Sequence, residues 1–456
     1  MLTATDPNTG EVVRQVQPAT TADMQAILAA AQDAWPAWRD LGFEPRAELL
    51  RKAAAYMREN VEDLAKLMTE EMGKPIKEGR GEVEKSAWCA EHYAEHAASY
   101  LKTDTIPSDA SHSYVQYLPL GPVLGILPWN APFWLAFRFC APALMAGNTC
   151  VMKHDPHVPG CAQAIAEVFK AIGTPEGVFQ NLPLATADVE AAIRDKRIQA
   201  VSFTGSGRGG AAVASIAASE IKPAVLELGG SDPCIVLEDA DLEAAADIIT
   251  LSRIINAGQS CIAAKRIIVE EPVYERMLDL LKERLEKLEM GDPRAESTDI
   301  GPIARADLRD NLHRQVNETV AAGARCLLGG ELPNSPGFFY PATLLADVTE
   351  DMTASCEETF GPVMVVLKAA DADEALAMAN RTEYGLAASV WTSSERGERM
   401  AAQIAAGQVS VNGIVKTDPR LPSGGIKRSG YGRELGPHGI HEFVNAQQVW
   451  VGPRQA

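Results

Sequence analysis

Two short segments of the chain carry residue types that can do covalent chemistry. The segment A-G-Q-S-C-I-A-A-K-R, residues 257–266, holds Cys261 among small residues, and V-L-E-L-G-G-S-D-P, residues 225–233, places Glu227 beside a Gly-Gly pair. A cysteine attacks an electrophilic carbon as its thiolate, and a glutamate nearby can act as the general base. We therefore predict that Cys261 is a nucleophile and that Glu227 is its general base.

A third segment, F-T-G-S-G-R-G-G at residues 203–210, has the composition of a phosphate-binding turn. It follows a predicted strand and opens a predicted helix, where backbone N–H groups and the helix dipole can hold a phosphate. Its glycines Gly205, Gly207 and Gly210 fit the pattern G-x-G-x-x-G. Because no acidic residue ends a strand about 20 residues later, the ribose-binding half of that pattern is missing. An ordinary tight turn remains the alternative.

Further segments stand in the order of the signature sequences of a known family. They are I-L-P-W-N (126–130), G-N-T-C-V-M-K (147–153), E-E-T-F-G-P (357–362) and G-G-I-K-R-S-G-Y-G-R-E (424–434). With the segments around Glu227 and Cys261, they make the chain resemble the aldehyde dehydrogenase superfamily from about residue 3 to residue 453. M-K-H-D-P-H-V-P-G-C-A at 152–162 is most similar to the bacterial succinate-semialdehyde dehydrogenase branch, which carries Lys-His in place of Lys-Pro.

The resemblance implies oxidation of an aldehyde to a carboxylic acid and assigns roles to individual residues. Asn130 would donate to an oxyanion together with the backbone N–H of Cys261. Lys153 would hold the adenine-side ribose of the cofactor, and Glu358 the nicotinamide ribose. The full set of implied cofactor contacts is Trp129, Lys153, Pro156, Gly205, Ser206, Gly210, Leu228, Glu358 and Phe360. Taken singly, the two aromatic residues could instead belong to the core.

The implied cofactor is NADP, with NAD possible. Family members that prefer NAD commonly carry a glutamate three residues after the position of Lys153, where its carboxylate repels a 2′-phosphate. Here that residue is Pro156. Without the glutamate, Lys153 can pair with the additional phosphate, although Asp155 is near enough in sequence to oppose it.

The implied substrate is a small aldehyde that carries a carboxylate, with succinate semialdehyde as the preferred candidate. Arg138, eight positions after Asn130, matches an arginine that binds the substrate carboxylate in these enzymes. Some of them carry a second such arginine six residues before the nucleophile, where this chain has Ile255, and Arg253 is a doubtful substitute. The alternatives are another semialdehyde or aliphatic aldehyde, a dehydrogenase that acylates coenzyme A, or a scaffold member without catalysis.

Composition restricts the class of protein. The chain has 456 residues, of which 46% are hydrophobic, and this suffices for a large core and two or three domains. A formal charge of −19 disfavours a nucleic-acid partner. The eight cysteines are scattered without a C-x-x-C pair, which indicates reduced thiols in the cytoplasm. We expect no membrane partner. We also expect no metal, because H-Y-A-E-H at 92–96 matches a zinc pattern but has no further ligand.

Hydrophobic periodicity predicts the elements that position these residues. Helices are predicted over 22–38, 45–60, 61–71 and 76–98. Strand-like segments follow at 113–121, 123–127, 149–153, 177–181 and 197–203, and the helical stretches among them predict βαβ units with a parallel sheet. After Gly230 the alternation resumes with a strand at 266–270, a helix at 273–289 and a strand at 362–367. Residues 291–340, rich in Gly, Pro and Asp, are predicted to form a long connection.

Pattern and resemblance together predict an α/β fold with three parts. The parts are a Rossmann-like cofactor domain (1–110 and 123–227), an α/β catalytic domain (228–420) and a small β oligomerisation element (111–122 and 438–456). The strand-like segment 442–451 could pair with another subunit. The resemblance implies a homodimer or a homotetramer.

Overall fold

Two large β-sheets, a three-stranded sheet and an N-terminal two-stranded sheet organise the chain, which the computed structural model describes over residues 1–452. The strands are β1 (Leu2–Thr5), β2 (Val12–Val16), β3 (Asp104–Thr105), β4 (His112–Pro119), β5 (Pro122–Leu127), β6 (Thr149–His154), β7 (Phe179–Asn181), β8 (Ala200–Thr204), β9 (Ala224–Glu227), β10 (Pro233–Val236), β11 (Arg266–Glu270), β12 (Arg325–Leu328), β13 (Thr343–Ala346), β14 (Val363–Ala369), β15 (Ala387–Trp391), β16 (Gln408–Val411), β17 (Gly430–Tyr431) and β18 (Val444–Val451). The α-helices are α1 (Thr21–Asp40), α2 (Phe43–Glu59), α3 (Val61–Met72), α4 (Ile76–Tyr100), α5 (Pro132–Ala146), α6 (Pro159–Ala171), α7 (Val189–Arg194), α8 (Gly207–Ser219), α9 (Leu242–Ile254), α10 (Tyr274–Glu286), α11 (Ala306–Ala321), α12 (Thr353–Cys356), α13 (Ala372–Asn380), α14 (Ser394–Ala401) and α15 (Gly436–His441).

The first large sheet has the strand order β17-β9-β8-β5-β6-β7 and is parallel except for β17. Every residue of β5 and β6 is buried, as expected for a parallel sheet that helices cover on both faces. The carboxyl ends of parallel strands meet at one edge of the sheet, where open α/β sheets bind their ligands. Asn130 follows β5, Lys153 lies near the end of β6, Gly205 follows β8 and Glu227 ends β9. Four of the predicted site residues therefore share this edge.

The second large sheet has the order β12-β13-β14-β11-β10-β15-β16 and is parallel except for β12. Its core is a separate cluster of aliphatic side chains, distinct from the clusters around the first sheet. Cys261 lies on the connection from α9 to β11. The nucleophile candidate Cys261 therefore precedes a strand of the second sheet, and the base candidate Glu227 ends a strand of the first.

The three-stranded sheet has the order β18-β4-β3. Val444–Val451 pairs antiparallel with His112–Pro119 of the same chain along the full length of both strands. Trp450 on this outer strand is about half exposed. Pairing with another subunit stays a prediction, and residues 453–456 of the predicted oligomerisation element 438–456 lie outside the described residues.

The predicted α/β class and the four N-terminal helices are confirmed, with ends that differ by a few residues. The prediction of a long connection over 291–340 is wrong, because α11 and β12 lie within it. The segment is amphipathic, with Leu312 and Val316 buried one turn apart, but its Arg, Asp and Asn content conceals that period. In the part of the chain that the structure describes, no helix has the length and apolar character to cross a membrane.

Candidate active site

Glu227 lies in a buried cluster of charges with Arg138 and Glu434. It is the last residue of β9, and its carboxylate is 5% exposed. Arg138 is the one charged residue of α5, a helix that is buried along its whole length. Its Nη2 lies 3.6 Å from Glu227 Oε2 and pairs more closely with Glu434. Two carboxylates therefore face one guanidinium at the carboxyl edge of the first sheet.

This environment raises the pKa of Glu227 to about 8. Burial is the largest cause, since it disfavours the charged form, and the like charge of Glu434 adds to it. The positive charge of Arg138 acts in the opposite direction. At neutral pH the carboxyl group consequently holds a proton in part of the molecules, and it ionises in the range where a general base works.

The connection that carries Cys261 has an unusual backbone. Asn256 and Ala257 have φ angles of 56° and 53°, and Gly258 has a φ of 74°. A Cβ on Gly258 would lie 2.3 Å from the carbonyl oxygen of Gly361, so only glycine fits there. Left-handed backbone at non-glycine residues costs free energy and persists only where surrounding contacts enforce it. The nucleophile candidate therefore lies on a strained and firmly held turn.

Arg253 provides part of that enforcement, and its role toward a substrate stays a prediction. The side chain is fully buried, and its Nη2 donates to the carbonyl oxygens of Gly258 at 2.9 Å and of Thr359 at 2.9 Å, and also to that of Gly361. These bonds direct the guanidinium to backbone carbonyls. Arg253 therefore fastens the turn before Cys261 to the segment that follows Glu358.

Cys261 is a protonated thiol in this protein at neutral pH. Burial raises its pKa to about 11, and the positive charges of Lys265 and Arg138 oppose that rise. Lys265 is itself buried, donates to the Cys261 carbonyl oxygen and lies 3.3 Å from Glu358. Because the thiolate is the nucleophile, the thiol must transfer its proton before it can attack.

Asn130 is fixed beside the Cys261 turn. Its side-chain amide donates to the Gln259 carbonyl oxygen at 3.1 Å. Its own carbonyl oxygen accepts from Lys74 Nζ at 3.0 Å and from Asn256 Nδ2 at 2.8 Å. The residue predicted as an oxyanion donor thus lies against the backbone two residues before Cys261, with a second amide N–H available.

The edge of the first sheet also carries the residues predicted to contact the cofactor phosphates and ribose. Ser206 caps α8 by accepting from Gly209 N at 3.2 Å, so the N–H groups of the first helical turn face outward from the strand end. A Cβ on Gly210 would lie 2.4 Å from Leu228 Cδ2, which explains why glycine is needed there. Lys153 is 4% exposed, and no described side chain forms an ion pair with it. An unpaired, nearly buried lysine and a helix N-terminus at the same edge of the sheet fit an anionic dinucleotide.

Glu358, Phe360 and Trp129 lie on the side of the site that faces Cys261. Glu358 Oε1 accepts from Gly230 N at 3.1 Å, and a Cβ on Gly229 would lie 2.1 Å from Glu358 Oε2. The Gly-Gly pair after Leu228 therefore makes room for this carboxylate. The rings of Trp129 and Phe360 meet edge to face with centroids 5.9 Å apart.

The cofactor-preference residues lie in the turn after β6. Pro156 is half-buried between Asp155 and His157. Asp155 Oδ1 accepts from His157 Nδ1 at 2.7 Å and from the His157 backbone N–H at 2.9 Å. The carboxylate that could oppose a 2′-phosphate is therefore already engaged.

Two charged residues of the site received no role from the sequence. Glu434 closes the signature G-G-I-K-R-S-G-Y-G-R-E, and Lys265 lies in the segment of Cys261. Each lies directly beside an arginine, Arg433 and Arg266 respectively, so nothing in the sequence signalled that either one is buried. Arg138, predicted to bind the substrate carboxylate, is instead surrounded by protein carboxylates, so a third carboxylate gains little from it.

We expect Glu434→Gln to shift the pH profile of turnover to lower pH. The substitution removes the like charge that raises the pKa of Glu227 and leaves Arg138 to pair with Glu227, so both effects lower that pKa. A general base works when ionised, so turnover limited by this step rises with pH through about 8 in the unmodified protein and at lower pH in the variant. Steady-state rates from pH 6 to 10, with the exposed Glu383→Gln as control, measure the shift. An unchanged or upward-shifted profile would contradict the cluster's role.

Comparison with known proteins agrees with this geometry. The model of the aldehyde dehydrogenase family matches residues 1–449. The chain is 46% identical over 447 residues to the probable succinate-semialdehyde dehydrogenase [NADP(+)] of Synechocystis sp., covering 98% of each chain. It is 45% identical over 446 residues to the succinate semialdehyde dehydrogenase [NAD(P)+] Sad of Escherichia coli, covering 98% of this chain and 96% of the other.

A solved structure is similar over the same length. The succinic semialdehyde dehydrogenase of Streptococcus pyogenes in complex with NADP+ superposes with a TM-score of 0.97 at 34% identity, covering 99% of this chain and 100% of that one. The match of the family model over nearly all of the described residues and the high identity to full-length relatives leave one conclusion. The chain belongs to the aldehyde dehydrogenase family.

Proposed function

We propose that the protein oxidises succinate semialdehyde to succinate with NADP as the hydride acceptor. One observation carries the proposal: Asn130, which follows β5, donates from its side-chain amide to the Gln259 carbonyl oxygen at 3.1 Å, so the sheet edge that Glu227 shares lies against the turn before Cys261. The relatives named as NADP-linked succinate-semialdehyde dehydrogenases support the choice of substrate and cofactor.

The residues of the site divide the reaction between them. The partly exposed Cys261 thiol gives its proton to solvent water. The thiolate then attacks the aldehyde carbon, and the oxyanion accepts hydrogen bonds from Asn130 Nδ2 and the Cys261 N–H. The bound dinucleotide supplies the hydride acceptor that converts the thiohemiacetal to a thioester. Glu227 then takes a proton from water, the resulting hydroxide attacks the thioester carbon, and the C–S bond breaks to release the acid. Glu227 favours this hydrolytic release over transfer to coenzyme A.

The cofactor residues follow from the same edge of the sheet. Lys153 and the N-terminus of α8 would hold the phosphate and ribose groups, Glu358 the second ribose, and Phe360 the nicotinamide face. The engagement of Asp155 by His157 supports acceptance of a 2′-phosphate. NAD is the second candidate cofactor.

Replacing Pro156 with glutamate is expected to reverse the cofactor preference. A carboxylate at this position would repel the 2′-phosphate and offer acceptors to ribose hydroxyls, so kcat/KM with NADP should fall on the order of a hundredfold relative to NAD. Pro156→Gln is the uncharged control and should change the ratio much less. Activity of the unmodified protein with NAD alone would contradict the proposal.

A panel of aldehydes assayed with both dinucleotides tests the proposed function. Succinate semialdehyde should give the largest kcat/KM, ahead of butanal and of longer semialdehydes. A different best substrate would redirect the assignment to another aldehyde, and reduction of neither cofactor would support a scaffold without catalysis. We also propose a cytoplasmic homodimer or homotetramer built through the outer strand β18, which sedimentation measurements can test.

A further inference from the structure

A lysine that this reaction scheme does not use lies partly buried near the catalytic cluster. Lys85 on α4 places its Nζ 2.7 Å from Thr417 Oγ1 and 4.3 Å from the centroid of the Trp134 ring. Burial, reinforced by the positive charge of Arg138, lowers the pKa of Lys85 to about 8. A hydroxyl and a ring face can stabilise an ammonium, but neither supplies a negative charge.

The carboxylates near Lys85 are already paired with other cations. Glu82, on the same helix, forms an ion pair with Lys74 and caps α5. Asp418 accepts two bonds from Arg420, at 2.8 Å and 2.6 Å. Within residues 1–452, no carboxylate forms an ion pair with Lys85. The nearby carboxylates Glu82 and Asp418 are therefore engaged elsewhere, and Lys85 has no ion pair of its own among the described residues.

The ring of Trp134 lies close to both Lys85 and Arg138. Trp134 lies one helical turn before Arg138 on α5, and the Arg138 guanidinium is 5.9 Å from the centroid of its ring. Arg138 in turn lies 3.6 Å from Glu227. Lys85 and Arg138 thus approach the same tryptophan, one with an unpaired charge and the other beside the general base.

We propose that Lys85, positioned by Thr417, binds the terminal carboxylate of the substrate and thereby selects aldehydes with an anionic end. The inference rests on the proposed function and names the residue that reads the substrate. Arg138 is a poorer candidate, because Glu434 and Glu227 already neutralise it.

Substrate discrimination by a Lys85→Met variant tests the proposal. Methionine keeps an unbranched side chain and removes the charge. We expect kcat/KM for succinate semialdehyde to fall about tenfold to a hundredfold, mainly through KM, because a hydrogen bond to a charged group is lost. Butanal should change less than about threefold. Lys85→Arg should keep most of the discrimination, and Lys77→Met, at the other lysine of α4, should keep all of it. An equal loss for both aldehydes, or no loss, would overturn the proposal.

A binding measurement separates this inference from the proposed function. Succinate should slow the alkylation of Cys261 by iodoacetamide at pH 7, where Lys85 is charged, in the unmodified protein, and Lys85→Met should abolish that protection. If the unmodified protein oxidises no succinate semialdehyde, the proposed function fails, and this assay still decides whether Lys85 binds a dicarboxylate. Thr417→Val, which removes only the hydroxyl beside the ammonium, should weaken the protection if Lys85→Met does not fold. Protection that is equal in all variants would overturn the role of Lys85.

Discussion

Cys261→Ala should lose aldehyde oxidation on the order of 10⁴-fold or more, because the proposed thioester forms on the sulfur that this substitution removes. Cys261 lies on a turn in which three residues have left-handed backbone. Hydrogen bonds from Arg253 hold this turn in place. A cysteine elsewhere cannot substitute for it, since Cys326 and Cys356 are exposed and the remaining cysteines are buried away from the turn. Alanine preserves the turn, so cofactor binding and the melting temperature should stay close to those of the unmodified protein.

Steady-state cofactor reduction with succinate semialdehyde measures this loss, and Cys326→Ala is the matched control. That variant removes an exposed thiol and should keep full activity. Retention of more than about a tenth of the turnover in Cys261→Ala would mean that the reaction does not pass through a covalent intermediate on this residue.

Glu227→Gln should lose about 10² to 10⁴ in turnover and keep the first half of the reaction. Glutamine has the same shape, can still contact Arg138 and relieves the repulsion from Glu434, so the cluster should remain folded. The variant cannot take a proton from water, so the thioester on Cys261 should accumulate. We expect a rapid burst of reduced cofactor, close to one equivalent per active site, followed by a slow phase.

Stopped-flow absorbance of the reduced cofactor distinguishes the two halves. The unmodified protein sets the amplitude expected for full site occupancy, and Glu383→Gln, an exposed carboxylate, serves as control. Unchanged steady-state turnover in Glu227→Gln would remove Glu227 from the mechanism. Loss of the burst would show that Glu227 is needed before hydride loss, as the acceptor of the thiol proton.

The sequence was enough to predict the elements whose hydrophobic period is strong and to propose the site residues that lie inside signature segments. Glu227, Asn130, Lys153 and Gly205 could be expected to meet because all of them follow or end strands of one parallel sheet. The helix at Ala306–Ala321 escaped prediction because many of its residues are charged or amidic and only a narrow apolar stripe is buried.

Contacts between residues distant along the chain could not be predicted from the hydrophobic period or from the signature segments. Glu434 meets Arg138 only after β17 pairs with β9. Lys85 reaches Thr417 across more than three hundred residues. The sequence left Arg253 as a doubtful candidate for substrate binding. The direction of its side chain depends on a turn with left-handed backbone at Asn256 and Ala257, and neither of these residues is a glycine that would indicate such a backbone.

The central claim is that Cys261 carries an acyl group that Glu227 removes. The most direct test is the intact mass of Glu227→Gln after brief mixing with succinate semialdehyde and NADP, followed by peptide mapping. We predict a mass increase of one succinyl group. This group should be located on the Cys261 peptide, and it should be absent when NADP is omitted. An unmodified mass under conditions where reduced cofactor has formed, or an acyl group on another residue, would contradict it.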